Sequence, residues 1–184
     1  MQNTSKKYEI ATFGAGCFWC VEAIFQRLDG VVSVLPGYSG GDIENPVYEQ
    51  VCTGTTEHAE VCQIKYDPGI IKYDELLEVF WKTHDPTTWN RQGADIGPQY
   101  RSVIFYHNDE QKQLAYKYMK ALDKSGAFDA PILTEIIPYN KIYKAEDYHV
   151  NYYNSNNNKP YCIYMIKPKM DKFENIFKDK LKKE

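Results

Sequence analysis

Apolar residues recur along this chain with two periods that interleave, one of two residues and one of three to four. Residues 8–13 read as a strand. Residues 17–28 read as a helix with Val21, Ile24, Phe25 and Leu28 at helical spacing, stopped by Asp29-Gly30. A second strand over 31–35 ends at Pro36-Gly37, and 59–66 forms a strand before the turn Asp67-Pro68-Gly69. Leu76, Leu77, Phe80 and Trp81 make one apolar stripe of a helix over 74–83, with Asp74 as its cap. A strand over 101–107 precedes an amphipathic helix over 109–124, capped by Asn108 or Asp109 and stopped by Gly126. The pattern then predicts a strand over 132–137, a short helix over 145–153, a last strand over 161–166 and a terminal helix over 173–181. Residues 39–57 read as a loop with short structure, 84–100 as a long loop, and 154–160 as a solvated polar loop. No internal repeat or linker interrupts the series. The expected fold is therefore α+β, a two-layer α/β sandwich with a ferredoxin-like core and long functional loops. A single domain is expected over 1–184, with its core at about 8–170, a polar N-terminus and a charged C-terminal helix.

Composition narrows the classes of function. The 184 residues are 43% hydrophobic and 26% charged, as in ordinary globular proteins. A net charge of −3 gives no footprint for nucleic acid. The lysines over 178–183 are interspersed with acids and read as a solvated helix end. The first seven residues lack an apolar central region, so no signal peptide is read, and no run approaches the ~20 apolar residues of a membrane span. Five cysteines, an odd number, point to a reducing compartment, so a cytoplasmic location is expected and any disulfide is expected to be transient. Sixteen tyrosines supply hydroxyl donors on apolar bodies.

The chemistry concentrates in Cys17-Phe18-Trp19-Cys20. A strand enters a glycine turn there and a helix leaves it, which puts Cys17 at a helix N-terminus. Free N–H groups and the positive end of the helix dipole favour an anion at that place, so Cys17 is a candidate nucleophile with a lowered pKa. Cys20, about one helical turn on, could trap an oxidised partner as a disulfide. Taken alone, Cys-x-x-Cys is a weak motif that fits buried packing about as well as redox work, and half of a zinc site less well. Cys52, His58 and Cys62 are poorly spaced to complete such a site, and no metal is expected.

Five segments together resemble methionine sulfoxide reductase A, the reductase of the S epimer. They are Gly16-Cys17-Phe18-Trp19-Cys20; Gly37-Tyr38-Ser39-Gly40-Gly41 with the run from Asn45 to Gly54; His58-Ala59-Glu60-Val61; the run from Asp95 to Ser102; and Ala145-Glu146-Asp147-Tyr148-His149 with Tyr152. The resemblance spans about residues 8–170. It implies Cys17 as the nucleophile and Glu60 as the general acid, with Tyr48 and Tyr100 as donors to the sulfoxide oxygen. Phe18 and Trp19 become the apolar wall for the methyl group, Asp95 a substrate or water ligand, and His149 and Tyr152 further lining of the pocket from one face of a short helix. No cofactor is implied. The substrate is methionine sulfoxide, free or in oxidised proteins, the reductant is thioredoxin, and a monomer is expected. Methionine sulfoxide is the lesion such reductases reverse.

Two features depart from the family pattern. Many relatives resolve the oxidised cysteine from a tail rich in Gly and Cys, whereas this chain has no cysteine after Cys162. Cys20, where many relatives have glycine, is the favoured resolving residue, with Cys52, Cys162 or no internal resolver as alternatives. Cys62 and Cys162 read as packing. Glu57 stands where relatives commonly have glycine. His58 could orient its neighbours or pack a loop, and His84 and His107 carry no functional signal. Two other classes compete with the reductase: a thioredoxin-like dithiol oxidoreductase using Cys17 and Cys20, and a zinc or redox-sensing interaction module.

Overall fold

The computed structural model describes residues 7–183, so most of the polar N-terminal stretch lies outside the described residues. Its centre is β1 (Glu9–Ala15), which pairs antiparallel with β3 (Ala59–Tyr66) on one side and β6 (Ser102–Tyr106) on the other. Beyond β3 lie β2 (Val31–Ser39) and the short β8 (Tyr143–Lys144), both antiparallel, and β7 (Glu135–Pro138) runs parallel to β6 at the opposite edge. The sheet order is β7-β6-β1-β3-β2-β8, and a separate two-stranded hairpin joins β4 (Arg91–Gln92) to β5 (Asp95–Ile96).

Strand alternation decides which face carries the core. Ala11, Phe13 and Ala15 of β1 point to the same side as Cys62, Ile64 and Tyr66 of β3 and Ile104 of β6. That side is covered by α1 (Phe18–Phe25), α3 (Tyr73–Lys82), α4 (Asp109–Lys124) and α6 (Lys167–Ile176). Phe13 is the pivot, with the rings of Phe80 at 5.0 Å, Phe25 at 5.7 Å and Tyr73 at 6.0 Å. The other face holds a small cluster of Ala59, Val61, Val103 and Phe105 under Ile137, Tyr139 and Ile142. One helical layer on one mixed sheet is the α+β arrangement the periodicity predicts. No helix among the described residues is long and apolar enough to cross a membrane.

Three expectations need correction. Residues 161–166 are helical rather than a strand: a wide turn over Cys162–Ile166 runs straight into α6. The buried set Cys162, Ile166, Met170, Phe173 and Phe177 explains why, because spacings of three and four make a helical stripe. The short structure expected within 39–57 is a helix, α2 (Tyr48–Cys52). The expected helix over 145–153 is split into a turn at Asp147–His149 and α5 (Tyr152–Ser155), because Asn151 between them is left-handed at φ 55°. The C-terminal helix ends at Ile176, and the segment after it is docked rather than solvated. Leu181 bridges to Leu28, and Lys182 N–H donates to the Arg27 carbonyl at 2.9 Å. A smaller shift is at α3, which starts at Tyr73, with the Glu75 carboxylate accepting the Lys72 N–H at 2.9 Å. Asn108 caps α4 by accepting from Gln111 N at 2.9 Å, as one of the two expected caps.

Glu57 is exposed and sits at φ 60°, a conformation that costs a non-glycine residue about 1–2 kcal/mol. Glycine's larger unfolded-state entropy offsets part of any relief. The Glu57→Gly protein is therefore expected to gain about 0.5–1 kcal/mol, read as a thermal midpoint raised by about 2–4 °C. An unchanged or lower midpoint would show that no strain is stored there.

Candidate active site

β1 and β3 pair with Phe13 opposite Cys62, which brings the start of β3 beneath the turn that leaves β1. Gly16 makes that turn at φ +89°, and a Cβ there would come within 2.8 Å of the Gln92 side chain. Cys17 follows as the N-cap of α1 and is 7% exposed. Its carbonyl accepts from Cys20 N at 3.1 Å and Val21 N at 3.3 Å, closing the first turn. No disulfide joins Cys17 and Cys20, which stand one helical turn apart, and each acts on the ionisation of the other.

Burial pushes the Cys17 thiol well up, and its hydrogen bond to Cys20 and the Cys20 charge push it further, against hydrogen bonds from Tyr161 and from Trp19 N–H. Cys20 moves down, chiefly because Cys17 hydrogen-bonds to it and because of the Lys169 charge, with burial opposing. The two ionise as a pair: an anion on one sulfur is held by the thiol of the other, and a second loss is disfavoured. The lowered Cys17 thiol expected from its place at the helix start is thus not realised, because desolvation outweighs the pull of a short helix.

Glu60, near the start of β3, is 2% exposed and accepts from Phe18 N at 3.0 Å. Burial raises its carboxyl well above the ordinary range, and the charges of Cys17 and Asp95 add to that, while the Phe18 N–H pulls the other way. The sequence alone would sooner read Glu60 as an exposed strand residue.

Two phenols stand around this pair. Tyr48 opens α2 and Tyr100 closes the turn Pro98–Tyr100. Both are half-buried and both have raised pKa values, first by burial, with Glu60 among the charges acting on each. Cys52, which also acts on the Tyr48 phenol, is exposed at the end of α2. Asp95 lies on the β4–β5 hairpin and accepts from the Tyr161 hydroxyl at 2.6 Å.

The aromatic lining is layered. Trp19 stacks on Tyr152 at 3.7 Å and 7°, meets Tyr161 edge-on at 5.6 Å, and donates from Nε1 to His149 Nδ1 at 2.9 Å. Phe18 and His149 are wholly buried behind this layer, with their rings 4.9 Å apart. His149 and Tyr152 do not share a helix face, since the left-handed Asn151 separates them. They converge because both touch Trp19. The Asn151 N–H is held by both oxygens of the buried Glu22 carboxylate at 2.9 Å. His58 packs a loop: its Nδ1 accepts from Gly41 N at 3.1 Å and its Nε2 meets the Ile43 carbonyl at 2.7 Å.

All ten residues predicted for the site therefore gather around the start of α1: the thiol pair itself, six residues around it, and Phe18 and His149 behind. Sequence reasoning missed Tyr161, which bonds to Cys17 and Asp95 but reads as a strand residue, and Glu146, which has no role in the sequence reading although it lies within a family-like segment. No group of three or more His, Cys, Asp and Glu among the described residues is placed to hold a metal ion.

The family description "Peptide methionine sulfoxide reductase" matches residues 9–181. A peptide methionine sulfoxide reductase MsrA of Sulfolobus acidocaldarius is 54% identical over 94% of this chain and 97% of its own length. The reduced form of Mxr1 from Saccharomyces cerevisiae superposes with a TM-score of 0.79 at 35% identity, covering 85% of this chain and 90% of that one. Mxr1 in complex with Trx2 matches with a TM-score of 0.57 at 25% identity, over 83% and 89% of the two chains. This chain belongs to the peptide methionine sulfoxide reductase family.

A carboxyl whose pKa is raised by folding costs stability as pH rises above its unfolded value, here 4.5. The Glu60→Gln protein keeps an acceptor for Phe18 N–H and loses that cost. It is expected to be more stable than wild type near neutral pH by at least about 1 kcal/mol, with the gap closing below about pH 4.5. Thermal melts across that range check it, and a gap that is constant with pH would show that Glu60 is ionised in the folded protein.

Proposed function

We propose that this chain reduces methionine S-sulfoxide, free or within proteins, to methionine through a sulfenic acid on Cys17. The observation that carries this reading is the buried Glu60 carboxyl, fixed by Phe18 N–H at 3.0 Å and within reach of the Cys17 charge, with Tyr48 and Tyr100 in turn within reach of its own. A soft sulfur nucleophile and a neutral acid held together away from water are what sulfoxide reduction requires.

The sulfoxide methyl sits against Trp19, backed by Phe18 and His149 and flanked by Tyr152. Tyr48 and Tyr100 donate to the sulfoxide oxygen, and Asp95 orients substrate or water through the Tyr161 side of the pocket. Cys17 attacks the sulfoxide sulfur as Glu60 delivers its proton to the oxygen. The hydroxyl so formed passes from the substrate sulfur to the Cys17 sulfur as the S–O bond and the transient S–S bond break, methionine leaves, and Cys17 is left as a sulfenic acid. The proton given up by the Cys17 thiol restores Glu60, so the thiol and sulfoxide become sulfenic acid and sulfide with atoms balanced. The Cys20 thiol then displaces the sulfenic oxygen as water and forms a disulfide with Cys17. The place of both thiols in the first turn of α1, where each acts on the ionisation of the other, supports this choice of resolving residue. A dithiol donor of the thioredoxin class returns both cysteines to thiols by exchange and is itself oxidised. Mxr1, solved with Trx2, supports that donor. We read the protein as a single-domain monomer working in a reducing cytoplasm.

Anaerobic reaction of the reduced protein with excess S-sulfoxide and no reductant tests the sequence of steps. Wild type is expected to form one methionine per chain, lose two thiols and yield a Cys17–Cys20 peptide. Cys17→Ser forms none, and Cys20→Ser forms one methionine with a sulfenic acid that a 1,3-dione traps. Glu60→Gln slows methionine formation by about 10²-fold or more. A disulfide to Cys162 or Cys52 would move the resolving role, and no methionine from wild type would overturn the reaction itself.

A further inference from the structure

Glu146 stands where four pieces of the pocket meet. Its Oε1 accepts the backbone N–H of Tyr48 at 2.9 Å, the residue that opens α2. Its Oε2 accepts the Tyr38 hydroxyl at 2.9 Å from near the end of β2, and Tyr38 packs on Phe18 with ring centroids 5.7 Å apart. The same oxygen lies 3.3 Å from His149 Nε2. Partial burial opposes ionisation of this carboxyl, but the surrounding donors prevail and hold it below the usual range.

The His149 contact has a chemical consequence. An indole N–H can only donate, so the Trp19 bond makes Nδ1 the accepting nitrogen of His149. Burial holds the imidazole neutral, and its one proton is therefore on Nε2, the nitrogen that faces Glu146. His149 Nε2 has no hydrogen-bond partner, so the carboxylate 3.3 Å away biases the imidazole as a neighbouring charge rather than through a hydrogen bond, and the imidazole in turn accepts from the indole. His149 is wholly buried and its ring also lies 4.6 Å from Tyr48. One side chain therefore fixes both the phenol that meets the sulfoxide oxygen and the indole that meets its methyl group.

We propose that Glu146 is a positioning residue of the reductase, holding Tyr48 directly and Trp19 through the His149 imidazole in the arrangement that receives the sulfoxide. The proposal rests on the roles assigned to Tyr48 and Trp19 above. Loss of such positioning shows as lost transition-state stabilisation without a change in the reacting groups.

The test combines kinetics with the indole N–H resonances of the three tryptophans, assigned by single Trp→Phe substitutions. In Glu146→Gln, the Trp19 resonance is expected to shift and exchange faster with water, while those of Trp81 and Trp89 hold. The kcat/KM for sulfoxide falls by about tenfold, and in a Tyr48→Phe background the same substitution costs less than about threefold because the phenol is already gone. An unmoved Trp19 resonance, or an equal cost in both backgrounds, overturns the proposal alone. Tyr48→Phe with unchanged kcat/KM overturns the role of Tyr48 and the proposal with it. Should Glu146→Gln not fold, Glu146→Asp, too short to reach Tyr48 N and His149 together, gives the same readouts.

Discussion

The hydrogen bond from Phe18 N–H to the Glu60 carboxyl ties the start of α1 to β3, and the rest of the site is arranged around it. It exists because β1 pairs with β3 in a register that carries Glu60 under the turn at Gly16. One N–H cannot compensate an ionised carboxylate for the loss of water, so the neutral acid is the form that burial selects. The same burial raises the Cys17 thiol, and the neighbouring Cys20 makes the first proton loss a property of the pair. A site that looks too apolar for ionic chemistry is thereby matched to a reaction that needs a neutral acid beside a sulfur nucleophile.

The aromatic wall depends on a second buried carboxylate as well as on Glu146. Glu22, one turn after Trp19 on α1, accepts the Asn151 N–H with both oxygens. That anchors the start of α5, where Tyr152 lies flat on the Trp19 indole. The pocket lining is thus built from segments far apart in sequence but fixed to one short helix. The short α2, the turn at Pro98–Tyr100 and the β4–β5 hairpin carry the phenols and Asp95, while α1 with its cap carries the thiols and β3 the acid.

Much of this is legible in the residues. The strand–glycine–helix pattern locates Cys17, the period-two runs locate β1, β3, β6 and part of β2, and the family-like segments name ten residues that the fold gathers. The rest is hidden for physical reasons. The run from Tyr161 to Ile166 is continuously apolar, so period alone cannot separate strand from helix, and only the longer stripe through Met170, Phe173 and Phe177 reveals α6. The break at Asn151 depends on a tertiary partner, Glu22, that lies 129 positions away. The direction of the Cys17 pKa shift escapes a sequence reading because helix position is local whereas burial is a property of the whole fold. Glu57 is visible as an oddity, and its φ of 60° supplies the reason glycine suits that place.

Infrared difference spectroscopy between the reduced wild-type protein and Glu60→Gln at neutral pH tests most directly whether burial keeps the Glu60 acid neutral beside the thiols. The wild-type spectrum should carry the carbonyl stretch of a protonated carboxylic acid that Glu60→Gln lacks, shifting on exchange into deuterium oxide. A difference spectrum showing only carboxylate bands at neutral pH would mean that Glu60 is ionised, and the acid–thiol pairing at the centre of the site would be wrong.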